Sequence, residues 1–185
     1  MDIQFFGSRH WLAPTLLFMA LMLGGAPENL SARQANPEVQ TDPRSIDSLL
    51  KVFYESLSFP EGKSPDWDRW RSLFASAISP CVRIAGDSVM QMDRERFIAF
   101  FGGRIKNGTL RSFREKEIGR TGESYGRLAQ IFSTYEKEMN LADHGKPIRG
   151  INSFQFLFKD NRWWITSVTW QDESPGDSIP QKYLK

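Results

Sequence analysis

The sequence predicts an α+β fold in which three N-terminal helices pack on a six-stranded, mostly antiparallel sheet. Apolar residues recur at helical spacing in three segments of the first half of the domain, and the period changes to two from Leu110 onward. Apolar residues make up 40% of the 185 residues and aromatic residues 13%, which is enough to build a buried core. We therefore expect one globular domain over residues 42–172.

Residues 1–32 have the three parts of an export signal. Arg9 and His10 lie in a short polar start, the apolar run Trp11–Leu23 follows, and small residues come after it. As a helix this run spans about 20 Å, whereas the hydrocarbon core of a membrane is about 30 Å thick. That length is typical of a cleaved signal peptide, and an uncleaved anchor is the alternative.

Cleavage is expected after Ala32. Ala26 is the other small candidate, but Pro27 would directly follow the scissile bond, where signal peptidases generally reject proline. No cysteine directly follows the apolar run and no twin arginine precedes it, so we expect export by the general secretory route, with a periplasmic or secreted location. Residues 33–41 then form a flexible leader, and residues 173–185 form a loose C-terminal tail.

Two amphipathic helices open the predicted domain. Asp42 is expected to cap a helix that Pro43 begins, and Asp66 is expected to cap a second helix that ends by Pro80. The apolar face of the first helix comprises Ile46, Leu49, Leu50, Phe53, Tyr54 and Leu57. That of the second comprises Trp67, Trp70, Leu73 and Phe74. Both sets recur at the three- and four-residue spacing of a single helix face.

A short hairpin and a third helix follow. The hairpin joins the strands Cys81–Ala85 and Ser88–Met92 through a Gly-Asp turn. Asp93 is expected to cap the third helix, and either Gly102–Gly103 or Asn107–Gly108 is expected to end it. The apolar positions of this helix are Phe97, Ile98, Phe101 and Ile105.

Four longer strand candidates with alternating apolar residues complete the sheet. They are Leu110–Arg120, Ser124–Lys137, Ile148–Lys159 and Arg162–Asp172. Thr121–Glu123 is expected to turn between the first two strands, and Asp160–Asn161 suits a two-residue hairpin between the last two. The polar segment 140–146 is expected to form a longer loop between the strands Ser124–Lys137 and Ile148–Lys159.

Alternation in the last three strands sorts their side chains into a mixed face and an aromatic face. The mixed face comprises Ile131, Ser133, Tyr135, Ile151, Ser153, Gln155, Leu157, Trp163, Ile165 and Ser167. The aromatic face comprises Phe132, Thr134, Phe154, Phe156, Phe158, Trp164, Val168 and Trp170. Neither face is the polar, wetted side that is usual for a lone antiparallel sheet. Since three helices cover one face, we expect a homodimer joined through the aromatic face.

Hydroxyl and amide groups among the aliphatic residues of the mixed face have the composition of a small-molecule pocket. The predicted ligand-binding residues are Tyr54 of the first helix together with Ser133, Tyr135, Ser153, Gln155 and Ser167. They would bind a small apolar ligand that carries a polar group. The alternative is a sheet core whose polar atoms satisfy one another.

The order helix, helix, two strands, helix, four strands resembles the nuclear transport factor 2-like superfamily, also called SnoaL-like or cystatin-like α+β cones. Short segments within residues 43–172 strengthen this resemblance. They are Asp66–Phe74, Phe113–Ile118, Ile131–Glu136, Arg149–Gln155 and Trp163–Trp170. The resemblance implies a curved sheet, a conical cavity and, in most members, a dimer. It implies no particular reaction, because the superfamily includes isomerases, cyclases, dehydratases, transport adaptors and non-catalytic binders.

Members of this superfamily that move protons typically place an Asp or His in the cavity, with a Tyr or an acid as partner. This sequence departs from that pattern, since His144 lies in a polar loop. Glu115 and Glu117 share a strand face and are the candidate bases, with Tyr135 as the candidate hydrogen-bond donor. Basic residues alternate with the two glutamates, so an edge strand protected by charge is the simpler interpretation.

Composition argues against several classes of partner. Residues 1–32 contain one of the 24 basic and two of the 22 acidic side chains, which leaves 23 against 20. That balance is too even to indicate nucleic acid or anionic lipid. Cys81 is the single cysteine, so no internal disulfide forms, and we expect it to be buried. The sequence has no phosphate loop, dinucleotide fingerprint or zinc-binding cluster, and we expect neither a cofactor nor a metal.

Two functions remain open at this point. The favoured one is an exported small-molecule-binding domain of the nuclear transport factor 2-like type, with no specific activity assigned. The alternative is a lyase or isomerase that performs proton-transfer chemistry in the cone cavity, with Glu117 or Glu115 as base and Tyr135 as donor. A carboxylate that faces inward in an enclosed cavity would favour the enzyme.

We expect the mature protein to begin at Arg33, because cleavage after Ala32 removes the whole apolar run Trp11–Leu23. The intact mass of protein isolated from the extracytoplasmic fraction measures this. A full-length chain in the cytoplasm would contradict export, and a full-length chain in the membrane would support the uncleaved anchor.

Overall fold

Three α-helices and one short 3₁₀ helix, Gln181–Tyr183, lie within the part of the chain that the structure describes. This computed structural model describes residues 42, 44–141 and 144–185, so the predicted signal peptide, cleavage site and leader lie outside the described residues. The α-helices are α1 (Ile46–Leu57), α2 (Trp67–Arg71) and α3 (Arg94–Lys106). None of them is long and apolar enough to cross a membrane.

Side-chain caps begin all three helices, although one cap differs from the prediction. Asp66 and Asp93 each accept a hydrogen bond from a first-turn amide, at 3.0 Å and 2.8 Å, as predicted for α2 and α3. Helix α1 begins after Ser45, whose hydroxyl accepts the capping bond, so the prediction that Asp42 caps this helix is wrong. The Asp42 carboxylate accepts instead from the amide two residues later. Pro43 lies outside the described residues.

Within the described residues, six strands form one curved, unclosed sheet. They are β1 (Cys81–Ala85), β2 (Ser88–Met92), β3 (Phe113–Tyr125), β4 (Leu128–Met139), β5 (Ile148–Lys159) and β6 (Arg162–Asp172). Their order is β2-β1-β6-β5-β4-β3; β1 runs parallel to β6, and the other neighbouring pairs are antiparallel. The predicted α+β class is confirmed, with a sheet of mixed rather than purely antiparallel direction.

The turn between β3 and β4 lies further along the chain than predicted. Thr121–Glu123 continues β3 and pairs with β4, and the chain turns at Gly126–Arg127 instead. Gly126 has a φ of 57°, a conformation that glycine adopts without steric cost. The predicted turn at Asp160–Asn161 is present, with positive φ at both residues.

The register between β4 and β5 corrects the predicted division of the sheet into two faces. Ser133 pairs with Asn152, and Ile131 pairs with Phe154, so these side chains share the face toward the helices, here called the inner face. Ser153 and Gln155 point to the opposite, outer face, and Ser167 pairs with Gln155 there. The prediction that Ser153, Gln155 and Ser167 share a face with Ser133 and Tyr135 is therefore wrong. Alternation within a strand does not determine its register against its neighbour.

Most of the predicted aromatic face lies in the core and not at a free surface. Phe154 and Phe156 are 0% and 2% exposed, and the ring of Phe53 in α1 lies 5.0 Å from that of Phe154. Trp170 contacts Phe97 of α3 in the same layer. The prediction that Phe154 and Phe156 join two subunits is wrong, because the helices of the same chain already bury them. Homodimerisation itself stays a prediction.

The C-terminal segment 173–185, predicted to be loose, packs on the outer face of the sheet. The ring of Tyr183 lies 5.5 Å from that of Phe132, and its carbonyl accepts a hydrogen bond from the Thr134 hydroxyl at 2.6 Å. The backbone carbonyl of Lys185 accepts from the amide of Arg120 at 3.2 Å. Part of the outer face is therefore covered by the chain itself.

Candidate functional site

A cavity of about 310 Å³ lies between the helices and the inner face of the sheet. It is at the end of the sheet where β6 ends and β5 begins. Its apolar and aromatic lining comprises Phe53, Leu57, Trp70, Phe97, Phe100, Phe101, Phe113, Met139, Ile148, Val168 and Trp170. Its polar lining comprises Arg83, Arg104, Glu115, Tyr135, Lys137, Asn152 and Asp172. Apolar walls with a few convergent polar groups are typical of small-molecule sites.

Glu115 presents a carboxyl group to this cavity from β3. It lies opposite Lys137 in the β3–β4 ladder, and the amide nitrogen Nδ2 of Asn152 donates to its Oε1 at 3.4 Å. Burial raises the pKa of Glu115 to about 7, because the loss of water outweighs the attraction of Lys137 and the bond from Asn152. The nearby Asp172 adds to this increase. Near neutral pH the carboxyl group is therefore divided between its acid and base forms.

Tyr135 and Lys137 both bind the carboxylate of Asp172. The Tyr135 hydroxyl and the Lys137 ammonium each donate to its Oδ1 at 2.5 Å. Burial raises the pKa of Tyr135, and the negative charge of Asp172 raises it further, so the phenol stays protonated. Gly150 leaves room for this arrangement, since a Cβ atom there would lie 2.2 Å from the Tyr135 hydroxyl oxygen.

A chain of buried hydrogen bonds lies behind the cavity wall. Asn152 Nδ2 donates to the Tyr54 hydroxyl at 3.2 Å, and the Tyr54 oxygen lies 2.6 Å from the Ser133 hydroxyl. Ser133 donates to Glu117 Oε1 at 2.5 Å, and Arg120 binds the same carboxylate through an ion pair. Because Ser133 donates to Glu117 and Tyr54 accepts from Asn152, the Tyr54 proton points to Ser133. The chain fixes the orientation of the Asn152 amide.

The structure divides the predicted site residues into three groups. Glu115 and Tyr135 line the cavity. Tyr54, Ser133 and Glu117 belong to the chain behind it, and Glu117 is held by the Arg120 guanidinium. The three candidates on the outer face, named above, are separated from the cavity by the sheet.

Five polar residues of the cavity lining are not among the predicted site residues: Arg83, Arg104, Lys137, Asn152 and Asp172. Arg83 offered a signal, because it is a charged residue inside the short strand Cys81–Ala85, where apolar residues dominate. The other four lie at strand ends or at ordinary polar positions of a helix or strand. Their convergence follows from the tertiary structure alone.

Metal ligation has no candidate within residues 42, 44–141 and 144–185, where no three His, Cys, Asp or Glu residues come together. His144 is exposed in the loop between β4 and β5. Cys81 is buried as predicted, and burial raises the pKa of its thiol to about 12. It is therefore an unreactive core residue.

Comparisons with known proteins identify the fold. No protein-family profile and no curated protein sequence matches the chain significantly. Solved structures that match include a protein of unknown function from Mycobacterium tuberculosis, with TM-score 0.56, 14% identity, and coverage of 74% of this chain and 75% of that one. A candidate dehydratase of the nuclear transport factor 2-like family from Streptomyces avermitilis also matches, with TM-score 0.54 and 14% identity. The match covers 73% of this chain and 98% of that one.

A protein of unknown function with a cystatin-like fold from Nostoc punctiforme also matches, with TM-score 0.52, 12% identity, and coverage of 69% of this chain and 88% of that one. The chain therefore has the nuclear transport factor 2-like, cystatin-like fold that its sequence motifs resemble. Likeness at these identities establishes a fold and not an activity.

The buried carboxyl group of Glu115 makes the stability of the protein depend on pH. The unfolded chain releases this proton near the usual pKa of 4.5, whereas the folded chain keeps it to about 7, so the free energy of unfolding falls as pH rises through this window. The variant Glu115→Gln has no proton to lose. Because the cavity admits some water, we expect the variant to be more stable than the wild type by about 1–3 kcal/mol at slightly alkaline pH.

Urea unfolding of both proteins across this pH window measures the difference. The matched control is Glu123→Gln, a change at an exposed position of the same strand, which should follow the wild-type profile. Parallel profiles for the wild type and Glu115→Gln would show that the Glu115 carboxyl group is not buried.

Proposed function

We propose that this chain is an exported domain that binds a small organic molecule in its cone cavity. The observation that carries the proposal is a cavity of about 310 Å³ with an aromatic lining, on one wall of which a carboxyl group, an amide and a phenol converge. A core built for stability alone would fill such a space, because each void costs dispersion contacts. The sequence pattern at residues 1–32 supports export.

The indole nitrogen of Trp70, a residue of the cavity lining, is a buried donor. Trp70 is 0% exposed, and its N–H group has no hydrogen-bond partner within the described part of the chain. A buried donor without an acceptor costs about 1–3 kcal/mol. Because the nitrogen is itself inaccessible, this cost belongs to the packing of the core and is not evidence for a ligand.

A homodimer remains part of the proposal, although its surface differs from the one predicted from sequence. Phe154 and Phe156 are unavailable to it because they are buried under the helices. The exposed side chains of Tyr125 and Leu128, at 87% and 60%, flank the β3–β4 turn and offer an apolar edge. Dimerisation would use this end of the sheet and the uncovered part of the outer face.

Native mass spectrometry of protein purified from its own source tests the binding proposal. We expect a bound small molecule that denaturation releases. The variant Ile148→Trp, which places an indole at the cavity, should lose this molecule, because the added side chain occupies its space. The matched control Leu157→Trp changes the outer face of the same strand and should retain it. If the wild-type protein retains nothing and both variants behave alike, the proposal is wrong.

Proton-transfer catalysis is a second candidate function, favoured by a specific observation. Glu115 has a pKa of about 7 and lies in the same cavity as the protonated phenol of Tyr135. A base with a pKa near the working pH suits a lyase or isomerase. The Tyr135 hydroxyl donates its proton to Asp172, so it would have to turn from this carboxylate to stabilise negative charge on a substrate oxygen. Glu117 is a poorer base, because Ser133 and Arg120 already bind its carboxylate.

Exchange of substrate hydrogen for deuterium tests this second candidate. The molecule released from the protein is incubated in D₂O with the wild type or with Glu115→Gln, and exchange at carbon is followed by NMR. We expect hydrogen exchange with Glu115→Gln to be slower than with the wild type by roughly 10²–10⁴-fold, because general base catalysis contributes that much to a rate. Glu123→Gln, outside the cavity, should exchange at the wild-type rate. Equal rates for the wild type and Glu115→Gln would show that Glu115 is not a base.

A further inference from the structure

Two arginine side chains reach the cavity from opposite layers of the fold. Arg83 lies on β1 opposite Trp170 of β6, and both residues line the cavity. Arg104 lies in the last turn of α3 and lines the same cavity from the helical layer. The parallel pairing of β1 with β6 places Arg83 near the end of β6, beside the cavity.

Neither guanidinium group has a carboxylate partner within residues 42, 44–141 and 144–185. Arg104 donates to the thioether sulfur of Met139 at 3.8 Å, which is a weak acceptor. Other arginines of the same chain behave differently: Arg71, Arg114 and Arg120 each bind carboxylates. The two half-buried arginines of the cavity are thus able to bind an anion.

The net positive charge of the cavity lining also favours the binding of an anion. Three cations face it, Arg83, Arg104 and Lys137, against the two carboxyl groups of Glu115 and Asp172. Lys137 and Asp172 neutralise each other in an ion pair, and Glu115 carries only part of a charge near neutral pH. Excess positive charge in a partly enclosed, aromatic-lined space is stabilised when a negative charge enters.

We propose that the ligand of this cavity is an organic monoanion with an aromatic or aliphatic body and a carboxylate that Arg83 and Arg104 bind. This inference rests on the proposed ligand site. Guanidinium groups bind carboxylates through two parallel hydrogen bonds, and the aromatic lining accepts the apolar body. When Glu115 is ionised, three cations face two carboxylates and one negative charge balances the excess, whereas a doubly charged group would meet repulsion from Asp172 and from Glu115.

Three probes with the same ring separate the charge of the ligand from its shape. We choose 2-naphthoate as the carboxylate, 2-naphthamide as its neutral analogue and 2-naphthyl phosphate as the doubly charged analogue, and isothermal titration calorimetry measures each Kd. We expect the wild type to bind 2-naphthoate at least ~10-fold more tightly than 2-naphthamide, because hydrogen bonds to charged groups contribute this much. Binding of 2-naphthyl phosphate should be weaker than that of 2-naphthoate.

Variants assign the effect to the two arginines. Arg83→Gln and Arg104→Gln should each weaken 2-naphthoate binding, and the double variant should bind it no better than 2-naphthamide. The affinity for 2-naphthamide should stay unchanged, which shows that the cavity remains folded. Arg96→Gln is the matched control, because this arginine lies on α3 but is exposed and does not line the cavity.

The outcomes distinguish this proposal from the one on which it rests. Equal affinity for 2-naphthoate and 2-naphthamide in the wild type, unchanged by either arginine variant, would show that the cavity does not select an anion. The proposal of a ligand site would then be unaffected. Tighter binding of 2-naphthyl phosphate than of 2-naphthoate would show that the arginines bind a phosphate and not a carboxylate. If neither 2-naphthoate nor 2-naphthamide binds, the carboxylate proposal fails, and native mass spectrometry of the wild type decides separately whether the cavity holds a small molecule.

Discussion

The antiparallel register of β4 with β5 is the constraint on which the rest of the site depends. It places Ser133 opposite Asn152 and Tyr135 opposite Gly150. A shift of one residue would turn Asn152 and its neighbour Phe154 to the outer face, exposing a core aromatic ring and breaking the hydrogen-bond chain behind the cavity. Burial of Phe154 against α1, and the space that Gly150 leaves for the Tyr135 hydroxyl, both stabilise the observed register.

Two glutamates of β3, Glu115 and Glu117, have different surroundings. Glu117 is bound by Ser133 and by the Arg120 guanidinium, so its carboxylate has strong partners. Glu115 has one long hydrogen bond from Asn152 and lies on the cavity wall, where burial raises its pKa to about 7. The sequence presents the two residues as equivalent candidates for a base. Their difference arises from the elements packed around β3, which leave one glutamate paired and the other available.

Local sequence signals predicted much of the fold. The bounds of β1, β2, β5 and β6 agree with the alternating segments, because each is delimited by turn residues with clear chemistry, such as Asp160–Asn161. The β3–β4 turn was misplaced, because Gly122 was interpreted as a turn residue although it lies within the ladder. Asp42 was a plausible cap by residue type, but the observed cap, Ser45, lies three residues further on.

The sequence by itself determined the α+β class, the existence of each α-helix and strand, and the candidacy of Glu115 and Tyr135, because these follow from periodicity, residue type and motif order. Only the tertiary structure decided which side chains of neighbouring strands lie on the same face of the sheet, and which polar side chains meet in the cavity. The physical reason is that strand register and helix docking depend on contacts between residues distant along the chain. Arg83 and Arg104 lie on different elements, and no local pattern brings them to one cavity.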